Sequence, residues 1–182
     1  MRARKTTLII ATTLAAGLAI AGPAAAAPCA NADSAPGTIS AKALGTATLC
    51  LLNEERSHYG LGPLKAQHNL AKAATGYSKE MVRHQFFDHV SPGGSTLASR
   101  LKKVHYTSTA RAWSIGENIA WGTGSKATPA QIVDAWMHSA GHKANILDRS
   151  YKEIGIGIAL GAPVATASSV GATYTTDFGY RS

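Results

Sequence analysis

Isoleucine and glycine alternate through Ile154-Gly155-Ile156-Gly157-Ile158. A period of two predicts a strand with one face packed and the other nearly bare. Glycines inside a strand mark a place where another backbone, or a tryptophan, comes close. The run is not a phosphate-binding turn, because the next glycine is Gly161, one residue too late, and no helical pattern follows. A second alternating stretch, Ala172 to Tyr180, brings Tyr174, Thr176 and Phe178 to one side. The small-residue segment from Gly161 to Gly171 then reads as the loop of an antiparallel hairpin.

Helical patterns come earlier in the chain. From Ser40 to Tyr59, Ile39, Ala43, Ala47, Cys50 and Leu51 recur at spacings of three and four, and Gly60 and Gly62-Pro63 end the pattern. From Asn69 to His84, Leu70, Ala73, Ala74, Tyr77, Met81 and Val82 share a face. Ser95 or Thr96 can cap a short helix through Lys103. A short strand is expected near Gly116 to Trp121. Thr128-Pro129 opens a further helix to about His138, with Ala140-Gly141 as its break and one or two turns on to Leu147. Helices first and strands last predict an α+β fold with an antiparallel sheet.

The first 26 residues read as a secretory signal peptide. Arg2, Arg4 and Lys5 precede a 13-residue apolar run, Leu8 to Ile20, and Ala24-Ala25-Ala26 supplies small residues for cleavage after Ala26. The run is shorter than the roughly 20 residues of a membrane span, so no anchor is expected after processing. Removing three positive charges takes the net charge from +8 to +5. That mild basicity suits an anionic envelope surface. The scattered basic residues argue against nucleic acid. Two cysteines are too few for a disulfide-dense scaffold. In a secreted chain an unpaired thiol is a liability, so a Cys29–Cys50 bridge is expected over two free thiols.

Five motifs follow in order: Leu51-Leu52-Asn53-x-x-Arg56; Asp88-His89-x-Ser91-Pro92; Gly116-Glu117-Asn118-Ile119-Ala120; Ala135-Trp136-Met137-x-Ser139-x-Gly141-His142-x-x-Asn145-Ile146-Leu147; and Ile154-Gly155-Ile156-Gly157 with Thr175-Thr176-Asp177-Phe178-Gly179. In this order they resemble the CAP superfamily of cysteine-rich secretory proteins, venom allergens and plant pathogenesis-related proteins, in its bacterial secreted branch. The resemblance implies a CAP domain over residues 46–181, with residues 27–45 an arm and the start of the first helix. It implies an α-β-α sandwich, a short antiparallel sheet between helical layers. It also implies a cleft of two histidines and two acids, matched here by His89, Glu117 and His142. The second acid's position holds Ser139, preceded by His138.

Two imidazoles and a carboxylate are competent ligands for zinc or another divalent cation, with an open position for water. His89, Glu117 and His142 are therefore the metal-ligand set to test. The other reading is that the imidazoles hydrogen-bond the carboxylate and backbone and fix the loops. His138 could stand in for the absent acid, or be an exposed histidine at a helix end. Ser91 and Ser95 lack a nucleophile-elbow context; Ser91 suits a turn before Pro92, and Ser139 a helix end. Trp121, Phe86 and Phe87 flank the cleft motifs and could wall a lipid, sterol or peptide site. No positioned nucleophile or dedicated base is legible. Binding of a lipid, sterol, peptide or envelope ligand is thus the leading expectation. A metal-assisted hydrolase and a structural envelope protein are the alternatives.

Overall fold

The computed structural model describes residues 29–166 and 170–182. The expected signal peptide and its expected cleavage after Ala26 lie outside the described residues. The elements are α1 (Ala41–His58), β1 (Lys65–Ala66), α2 (His68–His84), α3 (Leu97–Lys103), β2 (Trp113–Thr123), α4 (Pro129–Met137), α5 (Ala140–Leu147), β3 (Glu153–Leu160) and β4 (Gly171–Arg181); one 3-10 turn, Gly124–Ala127, links β2 to α4.

The four strands form one sheet in the order β1-β3-β4-β2. The β3–β4 hairpin is antiparallel, as expected, with Ile156 opposite Thr176. Strand β2 pairs antiparallel along the other side of β4, with Glu117 opposite Asp177. Helices cover both faces, so the α-β-α sandwich and the mixed α+β class hold. The two-residue β1 was not legible in the pattern and pairs parallel to β3 at Lys65–Glu153 and Ala66–Ile154.

The alternation in β3 sorts the two layers. Ile154 and Ile158 pack with Leu44 and Leu52 of α1, Trp136 of α4, Ile146 of α5, and Tyr174 and Phe178 of β4. The opposite face is not bare. It is covered by α2, and a Cβ on Gly155 or Gly157 would overlap the α2 backbone at Leu70–Ala71 or Ala74–Thr75. The side chains on that face are supplied by α2: Tyr77 and Met81 meet Ile119 of β2, and Ser78 donates to Gly157 O at 3.0 Å.

Three expectations need correction. The strand expected at Gly116–Trp121 extends to Trp113–Thr123, because β4 offers a partner at every position. Ala140 and Gly141 are not the break. They form the first turn of α5, and the chain breaks at His138–Ser139. The face of α1 is also rotated: the buried stripe is Leu44, Ala47, Thr48, Leu52 and Arg56. Polar Thr48 and Arg56 can occupy it because their side chains are satisfied. Thr48 Oγ1 donates to Leu44 O at 2.9 Å. Arg56 donates to Gly62 O, Ile146 O and Asp148 O at 2.7–2.9 Å, tying the end of α1 to the end of α5.

The Cys29–Cys50 disulfide is present, closing a sequence separation of 21. It pins the segment before α1 to the middle of that helix. Replacing both cysteines by alanine is expected to lower unfolding free energy by about 3 kcal/mol, read by urea denaturation. In the same assay Gly155→Ala should cost about 3 kcal/mol or more through overlap with α2. Gly45→Ala should be neutral or stabilise by up to about 1 kcal/mol. Its added Cβ would sit 3.7 Å from Ile156 Cγ2, an ordinary contact.

Candidate functional site

Strand β2 is one edge of the sheet, and the polar residues of the motifs collect along it from both layers. Odd-numbered residues of β2 face α2 and even-numbered ones face α4 and α5. Glu117 therefore belongs to the α2 side and Asn118 to the α5 side. His89 arrives from the loop between α2 and α3, and His142 from α5.

Glu117 is the hub. Its side chain is only 3% exposed, and both oxygens are engaged. Oε1 lies 2.8 Å from His89 Nδ1, and Oε2 accepts from Arg100 Nη2 at 2.6 Å. A carboxylate only accepts, so Nδ1 of His89 carries the proton, and in the neutral ring Nε2 is the acceptor. The His89 ring is half exposed.

Arg100 was not identified from the sequence. It lies on α3, is buried, and its guanidinium stacks 3.4 Å from the centroid of Tyr77. It also donates from Nη1 to His89 O and Ser95 O, at 3.2 and 2.9 Å. Tyr77 in turn donates to Asp88 O at 2.6 Å. One arginine thus holds the carboxylate, the backbone of the histidine and the following turn. Ser91 is a turn residue as read, its Oγ accepting from Ser95 N at 3.1 Å.

On the α5 side, Asn145 Nδ2 donates to Glu117 O and to Asn118 Oδ1, at 3.1 and 2.8 Å. Asn118 Nδ2 donates to His142 O at 3.0 Å. This amide chain docks α5 on β2. Ser139, where the family places its second acid, lies with its Oγ 2.9 Å from His142 Nδ1. His138 is not part of the cluster. Its ring is exposed, with Nδ1 2.9 Å from Asp134 O and 3.3 Å from Asp134 Oδ1.

A second acid is nevertheless present. Asp177 of β4 sits opposite Glu117 in the register and is completely buried. Neither of its oxygens meets a donor among the described residues. Its carboxyl is pushed well above the usual range, first by desolvation and then by the neighbouring Glu117 charge, with Arg100 opposing. In its neutral form its hydroxyl can donate to Glu117. The signal for Asp177 was an acid inside a strand whose other charged residue, Arg181, stands at its end; a strand covered on both faces cannot solvate it.

Among the described residues, the ligating atoms of His89, Glu117 and His142 are not all within 4.8 Å of one another; the group that is comprises Cys29, Cys50 and Glu54. Both of its sulfurs are in the disulfide and cannot serve as thiolates. Of the flanking aromatics, Phe87 is exposed, and Phe86 and Trp121 are half-buried. Phe86 meets Tyr77 edge-on at 5.9 Å. Trp136 is sealed in the core.

The chain belongs to the cysteine-rich secretory protein family, CAP, whose pattern matches residues 49–170. It is 34% identical over 151 residues to the Bacillus subtilis protein YkwD, covering 82% of this chain and 54% of the relative. A B. subtilis membrane protein, YlbC, is 31% identical over 110 residues, covering 60% of this chain and 30% of the relative. The chain therefore spans about half, or less, of the length of these relatives. Among solved structures, an extracellular SCP-domain protein of Bacillus anthracis aligns with TM-score 0.58 and 26% identity, over 78% of this chain and 44% of that one. An outer surface protein of Borrelia burgdorferi aligns with TM-score 0.63 and 21% identity, over 79% and 97%. The second likeness speaks for the fold alone. Among the described residues, no helix is long and apolar enough to cross a membrane.

The two cleft histidines should titrate apart. His89 is raised, first by its hydrogen bond to Glu117, against desolvation. His142 is lowered, first by burial and then by the His89 charge. NMR titration should find one midpoint above and one below the ordinary value of about 6.5. The linkage signs are opposite. The His89 contribution to stability is complete below about pH 6.5 and fades as pH rises through its folded midpoint. The His142 contribution is complete above about pH 6.5 and fades as pH falls through its folded midpoint. Coincident midpoints would contradict the described contacts.

Proposed function

We propose that this protein is a secreted binding domain of the cell envelope, with residues 1–26 as its export signal. In this reading its cleft holds a ligand between His89 and His142 rather than hydrolysing one. The observation that carries the reading is the double engagement of Glu117. A carboxylate buried to 3% exposure, with one oxygen on Arg100 and the other on His89, has no free face to activate water. Its chemical work is to orient. It sets the His89 tautomer and fixes the loop that carries the ring. Ser139 Oγ, 2.9 Å from His142 Nδ1, orients that ring from within its own turn.

Several features support an envelope ligand. The chain without its leader carries net charge +5, which favours anionic surfaces. Phe87 lies exposed two residues before His89, and Trp121 lies four residues beyond Glu117 on the same face of β2. A polar group would sit at the two imidazoles, with an apolar part along these rings.

The reading is tested with two variants and two readouts. Glu117→Gln leaves a buried guanidinium without its charged partner and should lower stability by about 3 kcal/mol or more, measured by urea denaturation. His142→Ala should keep wild-type stability to within about 1 kcal/mol, yet weaken co-sedimentation with purified cell-wall sacculi or phosphatidylglycerol vesicles. Neither wild type nor variant should turn over casein or nitrophenyl esters. Turnover by wild type that His142→Ala abolishes, with melting unchanged, would replace binding with hydrolysis. Unaltered sedimentation in every variant, with stability the sole effect, would make the cluster purely structural.

A further inference from the structure

The sheet has a second edge, remote from the histidine cleft and unused by the reading above. Strand β1 covers β3 only at Glu153 and Ile154. Lys65 N donates to Lys152 O and Gln67 N to Ile154 O, both at 2.9 Å. The bond at Ile154 lies within β3 and sets its parity; Lys152, just before the strand, turns its own N–H to Gly179 O of β4 at 3.0 Å. Its even-numbered residues turn their backbone groups to this edge and its odd-numbered ones to β4. The close of the hairpin agrees, since Gly161 N donates to Gly171 O at 2.7 Å. Ile156 and Ile158 therefore direct their N–H and C=O groups to an edge on which no strand of the described residues lies.

Helices α1 and α2 stand over this edge as two walls. Between them runs a groove of about 460 Å³, floored by Ile154, Ile156 and Ile158. Its walls are low, because Ala41 and Gly45 of α1 and Ala71 of α2 line it. A second hollow of about 400 Å³ shares Ala41 and Ile158 with it and adds Lys79, Arg83 and Leu160. With Lys42, the two hollows carry three basic side chains and no acidic one.

We propose that this groove takes up an extended acidic peptide segment of a partner protein as an added strand beside β3, in line with β1. Three features select that occupant. The floor presents backbone donors and acceptors, which an extended peptide satisfies at strand spacing; an acyl chain would bury them unpaired. The position already accepts a strand, since β1 occupies its first two residues. Lys42, Lys79 and Arg83, the charged residues lining the two hollows, favour acidic residues at the segment's end.

The test uses a labelled, acetylated and amidated peptide of alternating alanine and valine ending in two glutamates. Its twin ends in two lysines. With the purified protein, the acidic peptide should bind saturably and at least about tenfold more tightly than its twin. It should slow amide exchange at Ile156 and Ile158, read by NMR. Gly45→Leu, which fills the groove from a helical position, should abolish binding. The exchange measurement on wild type stands even if that variant folds poorly. Three results would overturn the proposal: no saturable binding, binding without protection of those two amides, or a groove that admits decanoate but not the peptide.

Discussion

The backbone of α2 lies against β3 because Gly155 and Gly157 present no Cβ to it. That single close approach determines where Tyr77 stands, and much of the cleft follows. Tyr77 provides the ring on which the Arg100 guanidinium rests and donates to the backbone of the loop leading to His89. Arg100 then fixes Glu117, and Glu117 fixes His89. A larger residue in β3 would push α2 outward and loosen each of these contacts in turn, although neither glycine touches the cleft.

While the His89 ring is neutral, one arrangement balances the charges in the cluster. One guanidinium faces two carboxyls, Glu117 and Asp177, in a space nearly closed to water. With both ionised, the second negative charge would be buried without a partner of its own. A neutral Asp177 removes that conflict and leaves Glu117 as the anion shared by Arg100 and His89. Desolvation pushes Asp177 in the direction this balance requires.

Much of the architecture was legible because it rests on periodicity and punctuation. The Ile/Gly alternation marked β3 and its close neighbour, Thr128-Pro129 marked the start of α4, and the glycines after Tyr59 marked the end of α1. The family resemblance added the layer order and named His89, Glu117 and His142. What stayed hidden depends on partners far away in the chain. Nothing local distinguishes Arg100 from other basic residues of a short amphipathic helix. Strand β1 is too short to show a period. Ala140-Gly141 has the composition of a helix break, yet packing of Ile146 and the Asn145 amide contacts favour a helical turn there. The list of three candidate ligand types could not show that Arg100 also contacts the carboxylate.

The order of the strands has a consequence for assembly during synthesis. Strand β4 is the last described strand to be made, yet it occupies a central place, with β3 on one side and β2 on the other. Until residues 171–181 have emerged, β2 has no strand to pair with and β3 has only the two residues of β1. The nascent chain can form helices, but its sheet must close nearly at once, from the middle outward. A chain built this way keeps its sheet unfinished along most of its length while it is being made.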